Sequence, residues 1–150
     1  MSGILRNSAE LAAREITGLH EFFQSWFRGE VAGTEAVFSR VGTVWGPSFE
    51  LIGPDSRLRN AGELIRATFD EYGRYPGLSI HIRNLVLREV AAGSVVIACY
   101  EEWHIDGETV DARLCSATLL RPHPGLERLI WMQIHESPLA GGMTADLIPA

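Results

Sequence analysis

The chain has 150 residues, of which 46% are hydrophobic and 21% are charged, a composition typical of a single globular domain and not of a disordered segment. Its formal net charge of −6 argues against a protein that binds a nucleic-acid backbone, because such proteins carry a basic stripe. All thirteen basic residues are arginine, and the absence of lysine excludes a Schiff-base lysine, a phosphate-loop lysine and a Ser-Lys dyad.

A long amphipathic helix is predicted from Ser8 to Gly29, with Ser8 as its cap and Gly29 as its stop. His20 lies on the apolar stripe of this helix, where a core histidine bonded to a neighbour is the plainer interpretation. The other members of the stripe recur with the 3.6-residue period: Ile16, Leu19, Phe23, Trp26 and Phe27.

Two shorter helices and a strand are predicted next. Residues 34–45 form a helix capped by Thr34, and residues 49–52 form a short strand. Residues 60–73 form a third helix, which Asn60 caps and Gly73 ends.

From Leu78 onward the pattern changes to β-structure. The turn sequences "AAG", "DG" and "PHPG" separate four runs, at 78–90, 94–105, 109–121 and 129–137. Runs of about twelve residues exceed the usual strand length, so the sheet must bend. Helices followed by an antiparallel meander predict a single α+β domain with the helices on one face of the sheet. Residues 140–150 are predicted to form a loose tail.

Neither the cysteines nor the N-terminus indicates export. Cys99 and Cys115 lie in strand-like runs at a spacing that matches no zinc or redox motif, so both are expected to be reduced and buried. The N-terminus lacks the basic and apolar regions of a signal peptide, and no window has the ~18 apolar residues of a membrane span. We therefore expect a cytoplasmic protein without a membrane partner.

Sequence motifs for cofactors are absent. The chain contains no GxGxxG, GxSxG, HExxH, CxxC or calcium loop, and its five histidines show no metal-ligand spacing. We therefore expect neither a metal nor a nucleotide cofactor.

Strand parity assigns the polar residues of the meander to two faces. A loop at Asp106-Gly107 pairs Trp103 with Val110, and a four-residue loop at "PHPG" sets Glu136 beside Asp111. The first face then carries, among others, Glu101, Trp103, Leu114, Trp131, Gln133 and His135. The second carries Tyr100, Glu102, Asp111, Arg113, Cys115, Ile130, Met132, Ile134 and Glu136.

The second face concentrates charge, because Arg113 is within diagonal reach of both Glu102 and Glu136. Such a cluster could line a polar cavity in which one carboxylate stays ionised and the other has a raised pKa. Two alternatives stay open: the charged face is simply solvated, or Glu101 and His135 form an acid–base dyad across Ala112 on the first face.

The chain also resembles the nuclear transport factor-like superfamily, and within it the SnoaL-like and kinase association-domain-like groups. The resemblance is carried by the order of elements together with "EITGLHEFFQSWFRG", "FELIGPDS" and "ARLCSATLLR…WMQIHESPL". It implies an α+β cone in which three helices close a strongly curved, mainly antiparallel sheet around a pocket. It also implies a homodimer formed through the convex face of the sheet.

Carried over residue by residue, the resemblance implies that Tyr100, Glu102, Arg113 and Glu136 face the pocket, and of these Glu136, Glu102 and Arg113 are the catalytic candidates. The acidic residue of the last strand in SnoaL-type cyclases is matched by Glu136, whereas the carboxylate, tyrosine and protonated acid of ketosteroid isomerases have no matching trio. The expected dimer face carries Trp103, Trp131 and His135. The remaining pocket-lining candidates are Tyr100, His20, Trp26, Cys115, Met132 and Ile134.

These observations lead to three hypotheses. In the first, the chain binds a small organic molecule and catalyses a cofactor-free isomerisation, cyclisation or dehydration by proton transfer. Arg113 then anchors a carboxylate or enolate oxygen of the ligand, Glu136 accepts the proton and Glu102 holds Arg113 in place. The second hypothesis is a non-catalytic ligand-binding or assembly module, and the third is a structural dimer with a vestigial cavity.

Overall fold

The computed structural model describes residues 5–139, in which three helices pack on one face of a six-stranded sheet. Helix α1 spans Ser8–Arg28, α2 spans Glu35–Val44 and α3 spans Ala61–Asp70. The predicted α+β architecture is therefore confirmed. The predicted loose tail concerns residues 140–150, which lie outside the described part of the chain.

The helix ends follow local hydrogen bonding. Thr34 and Asn60 cap α2 and α3 as predicted. For α1 the cap is Asn7, whose Oδ1 accepts from the backbone N–H of Glu10, while the Ser8 hydroxyl instead donates to the Gly93 carbonyl at 2.5 Å. The predicted stop is confirmed, because Gly29 adopts the left-handed conformation that favours glycine, with φ of 72°.

The sheet has the strand order β2-β1-β6-β5-β4-β3, and β1 runs parallel to β6 while every other pair is antiparallel. Sequence analysis did not predict β2, which has only three residues. The strand bounds are β1 Trp45–Ile52, β2 Leu58–Asn60, β3 Ser79–Val90, β4 Val95–Asp106, β5 Thr109–Leu120 and β6 Ile130–Pro138.

Both meander registers differ from the predicted ones, by two residues between β4 and β5 and by four in the part of β6 that carries Glu136. Gly107, with φ of 62°, opens a Gly107-Glu108 loop, so Asp106 pairs with Thr109 and Glu102 pairs with Arg113. On the last strand Glu136 pairs with Cys115 instead of Asp111. Because side chains alternate with a period of two, these shifts leave Glu102, Arg113 and Glu136 on the same face.

A bulge in β6 reverses the orientation of its first residues. Gln133 pairs with Thr118 but Trp131 pairs with Leu119, so Met132 is an extra residue on this strand. Trp131 is therefore fully buried beneath α1, and its Nε1 donates to the Glu15 carboxylate at 2.9 Å. The prediction that Trp131 lies on the dimer face is wrong.

The two cysteines lie on opposite faces of the sheet, because side chains alternate along each strand. Cys115 points to the concave face and is fully buried, as expected. Cys99 occupies an odd-numbered position of β4, on the convex face, and is exposed, so its expected burial is wrong.

The core lies between α1 and the concave face of the sheet. Trp26 is fully buried between the helices, with its ring centroid 4.7 Å from those of Phe38 and Tyr72, and its Nε1 donates to the Thr68 carbonyl. This aromatic packing holds α1 against α2 and against the segment that follows α3.

Candidate functional site

A cavity of about 560 Å³ lies between α1, the end of β1 and the concave face of β4–β6. This volume is in the range of small-molecule sites. Its walls are largely apolar and include Phe23, Phe27, Trp45, Leu51, Leu64, Ile80 and Ile134. Its charged or titratable side chains are His20, Asp55, Arg59, Glu102, His104, Asp111, Arg113 and Glu136.

Glu102 bridges two histidines at the base of this cavity. Its Oε1 lies 2.9 Å from Nε2 of His20 and its Oε2 lies 2.5 Å from Nε2 of His104. His104 follows Glu102 by two residues on β4, so both face the cavity, whereas His20 reaches Glu102 from α1. The three residues form a continuous hydrogen-bonded array.

The backbone of α1 determines where the protons of this array lie. Nδ1 of His20 is 2.7 Å from the Ile16 carbonyl, which can only accept, so Nδ1 carries a proton. The contact between Nε2 and Glu102 then requires a second proton, because an unprotonated nitrogen and a carboxylate are both acceptors. The His20–Glu102 pair therefore holds one proton beyond the neutral imidazole and the carboxylate.

The pKa values of this pair move apart. Burial works to lower the pKa of His20, but the charge and hydrogen bond of Glu102 outweigh it and raise that pKa above its usual 6.5. Burial works to raise the pKa of Glu102, but the two histidines outweigh it and hold that pKa well below its usual 4.5. An imidazolium and a carboxylate are thus the stable forms.

These directions predict how stability depends on pH. The contribution of His20 is complete below pH 6.5 and is lost as pH rises through its raised folded-state pKa; that of Glu102 is complete above pH 4.5 and is lost only in acid. We expect the unfolding free energy, measured with guanidinium chloride from pH 5 to 8, to decline on the alkaline side, in a range below that in which the Cys115 thiol of the unfolded chain ionises. In Glu102→Gln this decline should disappear, and its persistence would contradict the assignment.

Glu136 lies beside this array under different constraints. Its Oε1 accepts from Nη1 of Arg113 at 3.0 Å, while its Oε2 accepts no hydrogen bond from residues 5–139. Burial and the charge of Glu102 raise the pKa of Glu136 above its usual 4.5, against the opposing charge of Arg113. Glu136 is therefore a carboxylate that gains a proton readily.

Arg113 is neutralised on both sides of its guanidinium group. Nη1 donates to Glu136 and Nη2 donates to Asp111, its neighbour two residues earlier on β5. The expected support from Glu102 is not formed, since both oxygens of Glu102 bond to histidines.

Tyr100 and Cys115 lie beneath the array instead of lining the cavity. They pair across β4 and β5, and burial raises the pKa of both side chains. The Sγ atom of Cys115 and one carboxylate oxygen each of Glu102 and Glu136 lie within 4.8 Å of one another, a spacing that would allow them to bind one metal ion. However, the adjacent guanidinium of Arg113 repels a cation, so the set suits an internal hydrogen-bond network better.

The other predicted residues have varied placements. His20 and Ile134 line the cavity, whereas Trp26 belongs to the helix packing and Met132 lies half-buried at the β6 bulge, outside the cavity wall. The alternative of a solvated face does not hold, because Glu102 and Glu136 are only 8% and 7% exposed.

The alternative dyad of Glu101 and His135 is also not formed. Glu101 accepts from Nε1 of Trp103 and from Asn84, and its register partner on β5 is Leu114. His135 pairs with Ser116 and is exposed on the convex face.

Three cavity residues were not predicted as site residues from the sequence: His104, and Arg59 and Asp55, which form a salt bridge in the cavity wall. His104 could have been found, because it shares strand parity with Glu102. Asp55 accepts from the backbone N–H of Arg57 in its turn, and two hydrogen bonds from Arg59 lower the pKa of Asp55 to about 2.

Comparison with known proteins places this geometry in a fold class. The chain has a TM-score of 0.76 with an NTF-2-like protein of unknown function from Pseudomonas aeruginosa, at 21% identity, covering 86% of this chain and 98% of that one. The CaMKII hub homology domain of Chlamydomonas reinhardtii gives 0.61 at 14% identity, covering 85% and 97%. ActVI-ORFA of Streptomyces coelicolor gives 0.54 at 13% identity, covering 86% and 95%.

The chain therefore has the nuclear transport factor 2-like fold, and the resemblance seen in the sequence is confirmed at the level of the fold. No protein-family model matches it. Sucrose-phosphatases 2 and 1 of Nicotiana tabacum are 24% and 23% identical over 139 and 138 residues, which is 89% of this chain. The chain spans about a third of the length of these curated relatives, 32% in each case.

The described residues contain no helix that is both long and apolar enough to cross a membrane.

Proposed function

We propose that the chain binds a small organic molecule in this cavity and, without a cofactor, catalyses transfer of a proton from one atom of that molecule to another. The observation that carries the proposal is Glu136, a buried carboxylate with one unpartnered oxygen in a largely apolar cavity. Glu136 and Glu102 are neighbouring carboxyl groups whose pKa values are shifted in opposite directions, a pattern typical of paired acid–base groups.

The reaction begins when Glu136 removes a proton from a carbon next to a carbonyl group of the ligand. Negative charge then moves from Glu136 to the carbonyl oxygen. Arg113 loses its charged partner Glu136 at the same moment, so its guanidinium becomes available to the enolate oxygen. This stabilisation arises only as the charge develops, which is the kind that accelerates a reaction.

The His20–Glu102–His104 array supports this chemistry from beneath. It keeps a negative charge next to Glu136, which makes that carboxylate a stronger base than an isolated one. The proton that Glu136 has taken returns from Glu136 to another atom of the ligand, which restores the carboxylate at the end of the cycle.

The test is carbon-bound hydrogen exchange by the wild-type protein. The protein is incubated in D₂O with a panel of small cyclic ketones and hydroxyketones, and deuterium in each compound is measured by mass spectrometry. Binding is followed in parallel through the fluorescence of the protein, since Trp45 lines the cavity. Exchange above that of buffer supports the proposal, and neither exchange nor binding for any compound would refute it.

The curated relatives suggest one more ligand for the panel. They are named sucrose-phosphatases, but this chain corresponds to only 32% of their length. Sucrose is therefore tested as a ligand, whereas the phosphatase activity is not carried over to this chain.

A second function, assembly of copies of this chain, is favoured by the convex face of the sheet. Val86 and Leu114 are 64% and 42% exposed there, on either side of β4, with half-buried Trp103 on the same face. Exposed apolar side chains on the face of a sheet can be covered by a second copy of the chain. His135 also points to this face.

Leu114→Arg should therefore convert a dimer to a monomer, because it replaces an exposed apolar side chain of this face with a charged one that the interface would bury. Sedimentation equilibrium at micromolar concentration measures the mass. Leu126→Arg is the matched control, since Leu126 is also exposed but lies in the loop before β6. A monomeric wild-type protein, or dissociation by both variants, would contradict the proposed interface.

A further inference from the structure

We infer that the cavity selects a molecule without negative charge whose polar end donates a hydrogen bond, an alcohol or an amine, and discriminates against carboxylates and phosphates. The inference rests on the proposed function, because it concerns the ligand of the same cavity. It differs from the sequence-based expectation of a carboxylate-bearing ligand anchored by Arg113.

Both guanidinium groups of the cavity wall are already paired. Arg59 donates to both oxygens of Asp55, at 3.2 and 2.8 Å, and Arg113 donates to Glu136 and Asp111. Each therefore uses both terminal nitrogens on a carboxylate. An acidic ligand would therefore compete with protein carboxylates for guanidinium charge that is already balanced.

The remaining charge of the wall is negative. Four carboxylates line the cavity, those of Asp55, Glu102, Asp111 and Glu136, against the two guanidinium groups. Even with the extra proton of the His20–Glu102 pair, carboxylates outnumber these positive charges. In a wall with largely apolar surroundings, such an excess repels an anion more strongly than it would in water.

Two polar atoms of the charged cluster lack a hydrogen-bond partner among the described residues: Nε of Arg113, which is a donor but is inaccessible to a ligand, and Oε2 of Glu136, which is an acceptor. The neighbouring walls are formed by rings such as Phe23, Phe27 and Trp45. A hydroxyl or amino group satisfies Oε2, while an apolar body packs against the rings. A carboxylate in the same position would set two anions against each other.

Three compounds that share one aromatic body test the charge preference directly. They are 2-naphthylmethanol, 2-naphthylmethylamine and 2-naphthoate, and their dissociation constants are measured by saturation-transfer NMR at pH 7 and ~0.15 M salt. We expect the alcohol and the amine to bind at least about tenfold more tightly than the acid. Tighter or equal binding of the acid, or binding by none of the three, would overturn the inference, whereas the proposed function is refuted separately by the absence of both exchange and binding with the ketone panel.

A variant that releases Arg113 tests the cause of this preference. Asp111→Asn should increase the affinity for 2-naphthoate by about three- to tenfold, because Arg113 then keeps one carboxylate partner instead of two. Asp111 is exposed, so the variant should fold. Glu108→Gln removes the same charge from the adjacent hairpin loop and should leave the affinity unchanged. Equal gains in the two variants, or no gain in Asp111→Asn, would overturn the pairing argument.

Discussion

Glu136→Gln is expected to reduce carbon-bound deuterium exchange by about 10²- to 10⁴-fold, the range typical of a lost general base. Glutamine has the shape of glutamate and its carbonyl oxygen still accepts from Arg113, so the cavity wall should remain in place. The amide cannot take a proton from carbon, and it also removes the charge transfer that frees Arg113 during the reaction. The loss should therefore appear in the rate of exchange and much less in ligand affinity.

The matched control for this variant is Glu101→Gln. This variant makes the same chemical change on the opposite face of the sheet, where the Glu101 carboxylate accepts hydrogen bonds from Trp103 and Asn84. Its exchange rate should equal that of the wild type. An unchanged rate in Glu136→Gln, with thermal unfolding showing that the variant is folded, would remove Glu136 from the mechanism.

Glu102→Leu is expected to lower the unfolding free energy at pH 7 by about 3–5 kcal/mol, the range for removal of one partner from a buried ion pair. His20 and His104 both depend on Glu102, and His20 is buried between α1 and β4 with its Nδ1 committed to the Ile16 carbonyl. Without the carboxylate, His20 must give up its second proton and leave Nε2 without a partner.

Two further variants separate charge from shape at this position. Glu102→Gln should cost less than Glu102→Leu, because its amide can donate to Nε2 of a neutral His20 while its oxygen accepts from His104. His20→Leu combined with Glu102→Leu should recover much of the loss, since well-packed apolar residues often replace a buried pair without penalty. Urea denaturation measures all three, and equal stability of the Leu and Gln single variants would contradict the predicted pairing.

The faces of the meander could be predicted because they depend on parity alone. The predicted hairpin loop was wrong by one residue along the chain, which moved the β4–β5 pairing by two, and an even shift leaves every side chain on its face. Glu102, Arg113 and Glu136 therefore fall on one face in both the prediction and the structure. Trp131 lies on the opposite face from the predicted one, because the extra residue Met132 in β6 shifts the alternation by one. The sequence of the preceding turn does not predict this bulge.

The chain sequence by itself determined the order of the three helices and of the longer strands, the caps at Thr34 and Asn60, and the face shared by the three charged residues. These features depend on short-range hydrogen bonding and on the periods of helix and strand. Tertiary structure alone decided which partners those charges have. His20 and Glu102 are 82 residues apart, and their contact depends on how α1 packs across the sheet. That packing assigns Glu102 to two histidines and Arg113 to Glu136 and Asp111. It also leaves Oε2 of Glu136, in the cavity wall, without a hydrogen bond from residues 5–139.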